Sequence, residues 1–260
     1  MVRVNRDFDM FEVDLKATLL QTAKIAVHPD WYPCIEQAFA AMDPDYLLGL
    51  EQSDQWLPER QNMLMAFSQP LSAVRYVLLG ESPYPRKQSA NGYAFWDAAV
   101  GDLWTETGLS KAVNRATSLR NLLKMLLYAR GDLKADFSQT AIANLDKTPY
   151  VQTLADLFQG LLRHGFLLLN ASLVYEPKRV RYHAKHWRPF MASVLQYLHH
   201  TAPNSQLILL GNIAQQIAER EWFTCFLAEH PYQISFIRNP DVIAFFQPFN
   251  LLASKEFSSC

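Results

Sequence analysis

Four short apolar runs constrain what this chain can fold into. They occupy residues 74–80 (V-R-Y-V-L-L-G), 165–170 (G-F-L-L-L-N), 206–211 (Q-L-I-L-L-G) and 233–238 (Q-I-S-F-I-R). Three of them are almost continuously apolar, the pattern of strands covered by helices on both faces. Helical patterns separate them. Ser118 is placed to N-cap residues 119–130 (L-R-N-L-L-K-M-L-L-Y-A-R), a run that stops at Gly131. Residues 150–164 carry Leu154, Leu157, Phe158, Leu161 and Leu162 at helical spacing. Pro189 is placed to open a helix reaching about residue 200, and residues 213–222 read as a shorter helix. This alternation predicts an α/β fold: a three-layer α/β/α sandwich around a central, mainly parallel four-stranded sheet.

No internal repeat, low-complexity linker or Gly/Ser-rich joint divides the 260 residues. The sequence therefore predicts one domain over residues 1–260, with 1–70 as its mostly helical N-terminal part. Half of the residues are hydrophobic, enough for a sizeable core. A formal net charge of -1 gives no whole-chain basic field, so any site for a polyanion must come from local clusters. Cys34, Cys225 and Cys260 lie far apart, with no CxxC or Cys/His grouping, which argues against a zinc site or a disulfide framework. His199 and His200 are adjacent on a helix and point in different directions, a poor pair for one ion. No metal and no other cofactor is expected. The first residues lack the apolar core of a signal peptide, and no run reaches the length of a membrane span. The expectation is a cytoplasmic monomer with no membrane partner.

In open parallel sheets, ligands bind beyond the carboxyl ends of the strands. Those ends read Glu81-Ser82-Pro83-Tyr84-Pro85, Asn170-Ala171-Ser172, Asn212 and Asn239-Pro240-Asp241. Asparagine presents a donor and an acceptor together, which suits the edge of an amide-like ring and equally an ordinary turn.

An ordered set of segments resembles the uracil-DNA glycosylase family. G-E-S-P-Y-P followed by N-G-Y-A-F is similar to the family's G-Q-D-P-Y-H and downstream G-x-A-F. T-S-L-R-N-L-L-K resembles P-S-L-x-N-I-x-K-E, and G-F-L-L-L-N-A-S-L resembles G-V-L-L-L-N-T-x-L. H-A-K-H-W-R-P-F resembles H-x-x-x-G-W-x-x-F, and L-I-L-L-G-N-I-A-Q-Q resembles L-L-W-G-x-x-A-Q-K. R-N-P-D-V-I-A-F-F is set against H-P-S-P-L-S with its nearby F-F. The family flips uracil out of DNA and hydrolyses its bond to deoxyribose, because the reacting atoms are hidden inside the stack. The resemblance implies that Phe95 stacks on the flipped base and that Asn170 pairs with O4 and N3–H of uracil, an edge that cytosine presents reversed. It also implies that Tyr84 fills the space a thymine methyl would need.

Two departures fall on the chemistry. The family's water-positioning Asp is Ser82 here, and on this alignment its His, which donates to uracil O2, becomes Asn239. A hydroxyl orients water but is no base near neutral pH, whereas an Asn still donates a hydrogen bond to developing negative charge. Glu81, in place of the family's Gln, is the expected substitute: a carboxylate beside an oxocarbenium-like transition state.

The densest basic stretch, residues 178–188, carries Lys178, Arg179, Arg181, His183, Lys185 and Arg188 with no acid, and leaves from the Asn170 strand end. Clustered cations with interleaved aromatics suit phosphate tracking. The resemblance assigns His183 to the DNA backbone and Ile243 to the wedge that fills the gap left by the flipped base. Secondary candidates for DNA contact are Ser118 with Arg120, and Arg86 and Lys87 beside Tyr84. The partner expected is therefore DNA containing uracil or another damaged base. Two further readings stay open: a catalytically inactive DNA-binding protein on the same scaffold, favoured by Ser82 and Asn239, and an enzyme of free nucleobases, which the basic strip disfavours.

Overall fold

The computed structural model describes residues 26–254. The part of the helical N-terminal expectation that falls on residues 1–25 lies outside the described residues, as does Cys260. The sheet is four-stranded, with β1 (Tyr76–Gly80), β4 (Phe166–Asn170), β5 (Gln206–Leu210) and β6 (Thr224–Ala228) in the order β4-β1-β5-β6. Every pairing in it is parallel. A small hairpin, β2 (Trp104–Thr105) and β3 (Gly108–Leu109), stands apart. The helices are α1 (Tyr32–Ala40), α2 (Pro44–Glu51), α3 (Lys111–Arg115), α4 (Thr117–Arg130), α5 (Gln139–Ala143), α6 (Leu154–Arg163), α7 (Val180–Thr201) and α8 (Pro240–Phe246).

Alternate strand residues feed two cores. Val77, Leu79, Leu167, Leu169, Leu207 and Leu209 face a layer built from α1, α2 and α7, where Trp31, Phe67, Phe190, Phe39 and Trp187 interlock edge to face. Leu78, Leu168, Ile208 and Leu210 face the other layer, filled by Leu123 and Leu127 of α4 and Leu157, Phe158 and Leu161 of α6. Burial on both faces is why three strands read as unbroken apolar runs.

Four expectations are corrected. Ser118 does not cap its helix: α4 starts at Thr117 behind Ala116 with no side-chain cap, and Ser118 lies within its first turn. Residues 233–238 are not the fourth strand. Ile234–Arg238 is a 3-10 turn that buries Phe236 and Ile237, and the fourth strand is β6. Residues 213–222 form two 3-10 segments, Gly211–Gln215 and Ala218–Trp222, rather than one helix. Pro189 does not open its helix but lies inside α7, which begins at Val180. The basic stretch is therefore mostly the first turns of a helix, not a loop. Among the described residues no helix is long and apolar enough to cross a membrane, and no cluster of three or more His, Cys, Asp or Glu could hold a metal ion.

Candidate active site

The carboxyl ends of β1, β4 and β5 open onto a cavity of about 300 Å³. Its walls include Gly80, Glu81, Ser82, Tyr84, Phe95, Ser118, Asn170, Tyr175 and His230. The β1–β4 ladder continues past the strands: Ala171 N–H donates to Gly80 C=O at 2.8 Å and Ser172 N–H to Glu81 C=O at 3.0 Å. Glu81 is thereby fixed at the rim beside the Asn170 turn.

Asn170 ends β4 and is 2% exposed. Its Oδ1 lies so close to Gly80 that a Cβ there would meet it at 2.6 Å, so only glycine leaves room for the amide. Its Nδ2 is buried and has no protein partner. An unpaired buried N–H is costly, and a ligand edge in the cavity would satisfy it.

Phe95 takes φ +64, a left-handed conformation that non-glycine residues adopt at a cost. Two hydrogen bonds hold it there. The preceding Ala94 N–H donates to Leu168 C=O at 3.0 Å, and Tyr84 Oη donates to Phe95 C=O at 3.1 Å. Burial pushes the Tyr84 hydroxyl up to about 12, so it remains a protonated donor at neutral pH.

The sequence alignment missed His230. It lies two residues past β6, half-buried on the cavity wall, with its ring stacked on Phe95 at 5.9 Å. Gly211, at φ +76, gives it room: a Cβ there would meet the His230 Cβ at 2.8 Å. Burial pulls the His230 pKa below the ordinary value, against a smaller upward pull from Glu81. The Tyr232 N–H donates to His230 Nδ1 at 3.1 Å. A neutral ring that accepts at Nδ1 carries its proton on Nε2. The signal was present in the sequence as H-P-Y-Q-I-S, residues 230–235, a closer counterpart of H-P-S-P-L-S than R-N-P-D-V.

Asn239 is accordingly corrected. Its Oδ1 caps α8 by accepting from Asp241 N–H at 3.0 Å and Val242 N–H at 3.3 Å, and its Nδ2 donates to Glu229 Oε2 at 2.8 Å. That side chain is consumed by structure and does not line the cavity. Ile243 is corrected too, since it packs partly buried against the core from within α8. On the segment that follows His230, Tyr232 and Ile234 are 65% and 73% exposed.

His183 is likewise not at the surface. It is 2% exposed on the inward face of α7, with Nδ1 on Tyr46 Oη at 2.6 Å and Nε2 on Glu176 Oε2 at 2.9 Å. Arg179 is turned back onto Glu176 at 3.1 Å and over the Tyr182 ring. Lys178 is exposed at φ +66. Arg181 and Lys185, joined by Arg188, share one face of α7 and line a groove of about 680 Å³ that also touches Glu81 and Ser82. Base cavity and basic groove thus meet at the Glu81–Ser82 ridge.

Comparison with known proteins agrees with this geometry. Residues 68–258 match the family described as the uracil DNA glycosylase superfamily. A uracil-DNA glycosylase of Chromobacterium violaceum is 29% identical over 211 residues, covering 78% of this chain and 76% of that protein. One from a Nocardioides species is 27% identical over 193 residues, covering 73% of this chain and 71% of that protein. The crystal structure of wild-type UNG from Nitratifractor salsuginis superposes with a TM-score of 0.86 at 37% identity, covering 97% of this chain and 100% of that one. The match to the family over residues 68–258 places this chain in the uracil DNA glycosylase superfamily.

Proposed function

We propose that this protein is a monofunctional DNA glycosylase that hydrolyses the N-glycosidic bond of uracil flipped out of DNA. The observation that carries the reading is the buried Asn170 amide, whose Nδ2 lacks a partner on the wall of a cavity otherwise lined by Phe95, Tyr84 and His230. An amide in that place pairs with O4 and N3–H of uracil, Phe95 offers a stacking face, and Tyr84 limits the room at C5.

In the reaction, the C1′–N1 bond breaks with its electron pair passing to the base, and negative charge develops on O2. The neutral His230 imidazole donates from Nε2 to that oxygen. A donor of this kind, fixed before the reaction, is worth several kcal/mol in a site shielded from water. Water supplies the new bond to C1′. Ser82 orients it, and Glu81, the carboxylate on this wall, takes its proton and faces the positive charge growing on the sugar. The role given to Glu81 rests on its position at the rim, one residue before the place where the family has Asp.

DNA is the partner this reading requires. Arg181, Lys185 and Arg188 are the cations we assign to phosphates, with Lys178 and Ser118 as flanking contacts and Ile234 as the wedge. Residues 26–254 are read as parts of one domain. With His230 available as the donor, the inactive DNA-binding alternative loses one of its two supports, and only Ser82 remains.

The test is single-turnover release of uracil from a labelled oligonucleotide with protein in excess, followed by alkaline cleavage of the abasic site. Release by the wild type that is lost in Asn170→Ala supports the proposal. An inert wild type that still binds the oligonucleotide would transfer the reading to DNA binding alone.

A further inference from the structure

We propose that Asn121 is the positioning residue that sets the tautomer of His230. Asn121 belongs to α4, is 1% exposed, and sits remote in sequence from the loop it touches. Its Nδ2 donates to Pro231 C=O at 2.8 Å and reaches Tyr232 C=O and Gln233 C=O at 3.4 Å each. Three consecutive carbonyls accept and cannot donate, so they dictate which end of the amide faces them. The other end, Oδ1, is buried and has no partner. The side chain thus leaves an acceptor unsatisfied in order to hold this stretch of backbone, a sacrifice that an apolar residue at the same place would avoid.

The stretch held is the one that fixes His230. The peptide units at residues 231–233 set where the Tyr232 N–H points, and that N–H donates to His230 Nδ1 at 3.1 Å. A donor at Nδ1 stabilises the neutral ring with its proton on Nε2, the atom left to face the base. From Asn121 the chain of dependence runs through the Pro231 and Tyr232 backbone to Nδ1, and from there to the proton on Nε2. Asn121 touches neither substrate nor imidazole, and it acts through the loop. Nothing else in the reaction reading depends on it, while its consequence for activity rests on the role given to His230.

The experiment compares wild type, Asn121→Asp and Asn121→Ala as full-length proteins. Imidazole ¹⁵N chemical shifts, assigned to His230 by its loss in His230→Ala, report the tautomer in the absence of DNA. Wild type is expected to show one protonated Nε2 and one unprotonated Nδ1. Asn121→Asp keeps the shape but turns oxygen toward three carbonyls, so the loop should shift and the two nitrogens should move toward averaged values. Asn121→Ala should do the same without the added repulsion. Losing the Tyr232 N–H removes a bond that favours the neutral ring, so the acid limb of the pH–rate profile should move to higher pH. The single-turnover rate should fall on the order of 10-fold, with oligonucleotide affinity little changed. Folded variants that retain the wild-type ¹⁵N pattern and acid limb would overturn the proposal. A wild type that shows the Nε2–H tautomer but releases no uracil would overturn the glycosylase reading and leave the clamp intact.

Discussion

Phe95 and His230 hold their rings 5.9 Å apart and 30° from parallel on one wall of the cavity. The ring proposed to stack on the base and the imidazole proposed to donate to it are thereby fixed relative to each other before any base enters. His230→Ala is expected to slow single-turnover uracil release by about 10²–10³-fold while leaving oligonucleotide affinity nearly unchanged, the behaviour of a donor used in the transition state. Asn239→Ala provides the contrast. Loss of the α8 cap and of the bond to Glu229 should cost about 1 kcal/mol of stability, read from denaturant midpoints, without a comparable loss of rate.

The pH dependence has a definite sign. Burial holds the pKa of both His230 and His183 below the ordinary histidine value. Activity should therefore persist below about pH 6.5 and fall only as His230 protonates. Glu81 pulls the His230 pKa upward, so Glu81→Gln should move the acid limb to lower pH, and through the loss of the carboxylate it should also lower the plateau rate. Stability follows the same groups. Between the depressed folded values and about 6.5 the unfolded chain binds more protons, so stability rises with pH across that window and is lost as pH falls through it. Urea midpoints at the two ends of the window would check this. A Glu81→Gln plateau equal to wild type would remove Glu81 from the mechanism.

The architecture was legible because three strands are buried on both faces and so appear as runs such as L-I-L-L. The fourth was not. β6 lies at the edge of the sheet with Thr224 and Leu227 exposed, and its short apolar stretch C-F-L-A, bounded by Thr224 and Glu229, lacks the Leu-rich run that marks the inner strands. Q-I-S-F-I-R imitates a strand by burying Phe236 and Ile237 in a 3-10 turn. That one misplacement carried the proposed donor and wedge with it, because a strand set too late puts its following loop too late. In the proposed site His230 takes the place expected for Asn239, and Ile234 that expected for Ile243. That Tyr84, Phe95 and Asn170 line one cavity was legible because local motif and strand end agreed. The burial of His183 was not, because whether a helical histidine faces in or out is decided by partners such as Tyr46, remote in sequence.

Ile234, four residues after His230 of the cavity wall, is 73% exposed, an apolar side chain with no fold-stabilising role evident in its burial. Ile234→Ala should leave thermal stability within about 0.5 kcal/mol of wild type. It should slow uracil release from duplex DNA more than from a single strand, because only the duplex leaves a stacked gap to fill. Ile243→Ala should do the reverse, lowering stability through lost packing with no preference between the two substrates. Equal slowing on both substrates by Ile234→Ala would remove the wedge.

The cations of α7 sort into held and free. Arg179 is paired with Glu176, whereas Arg181, Lys185 and Arg188 have no ion-pair partner among the described residues and face the groove that meets the base cavity at Glu81 and Ser82. A free cation on a phosphate releases a counterion, and a paired one must first break its own bridge. Each of Arg181→Ala, Lys185→Ala and Arg188→Ala should therefore reduce the slope of log affinity against log salt by about 0.9 on duplex DNA or about 0.7 on a single strand. Arg179→Ala should change that slope little. The effect should be uniform across sequences and absent for free uracil, because the proposal puts the phosphates in the groove and the base in the cavity. Unchanged slopes in all three variants would place the DNA on another face and leave the Asn170 pocket to account for binding without α7.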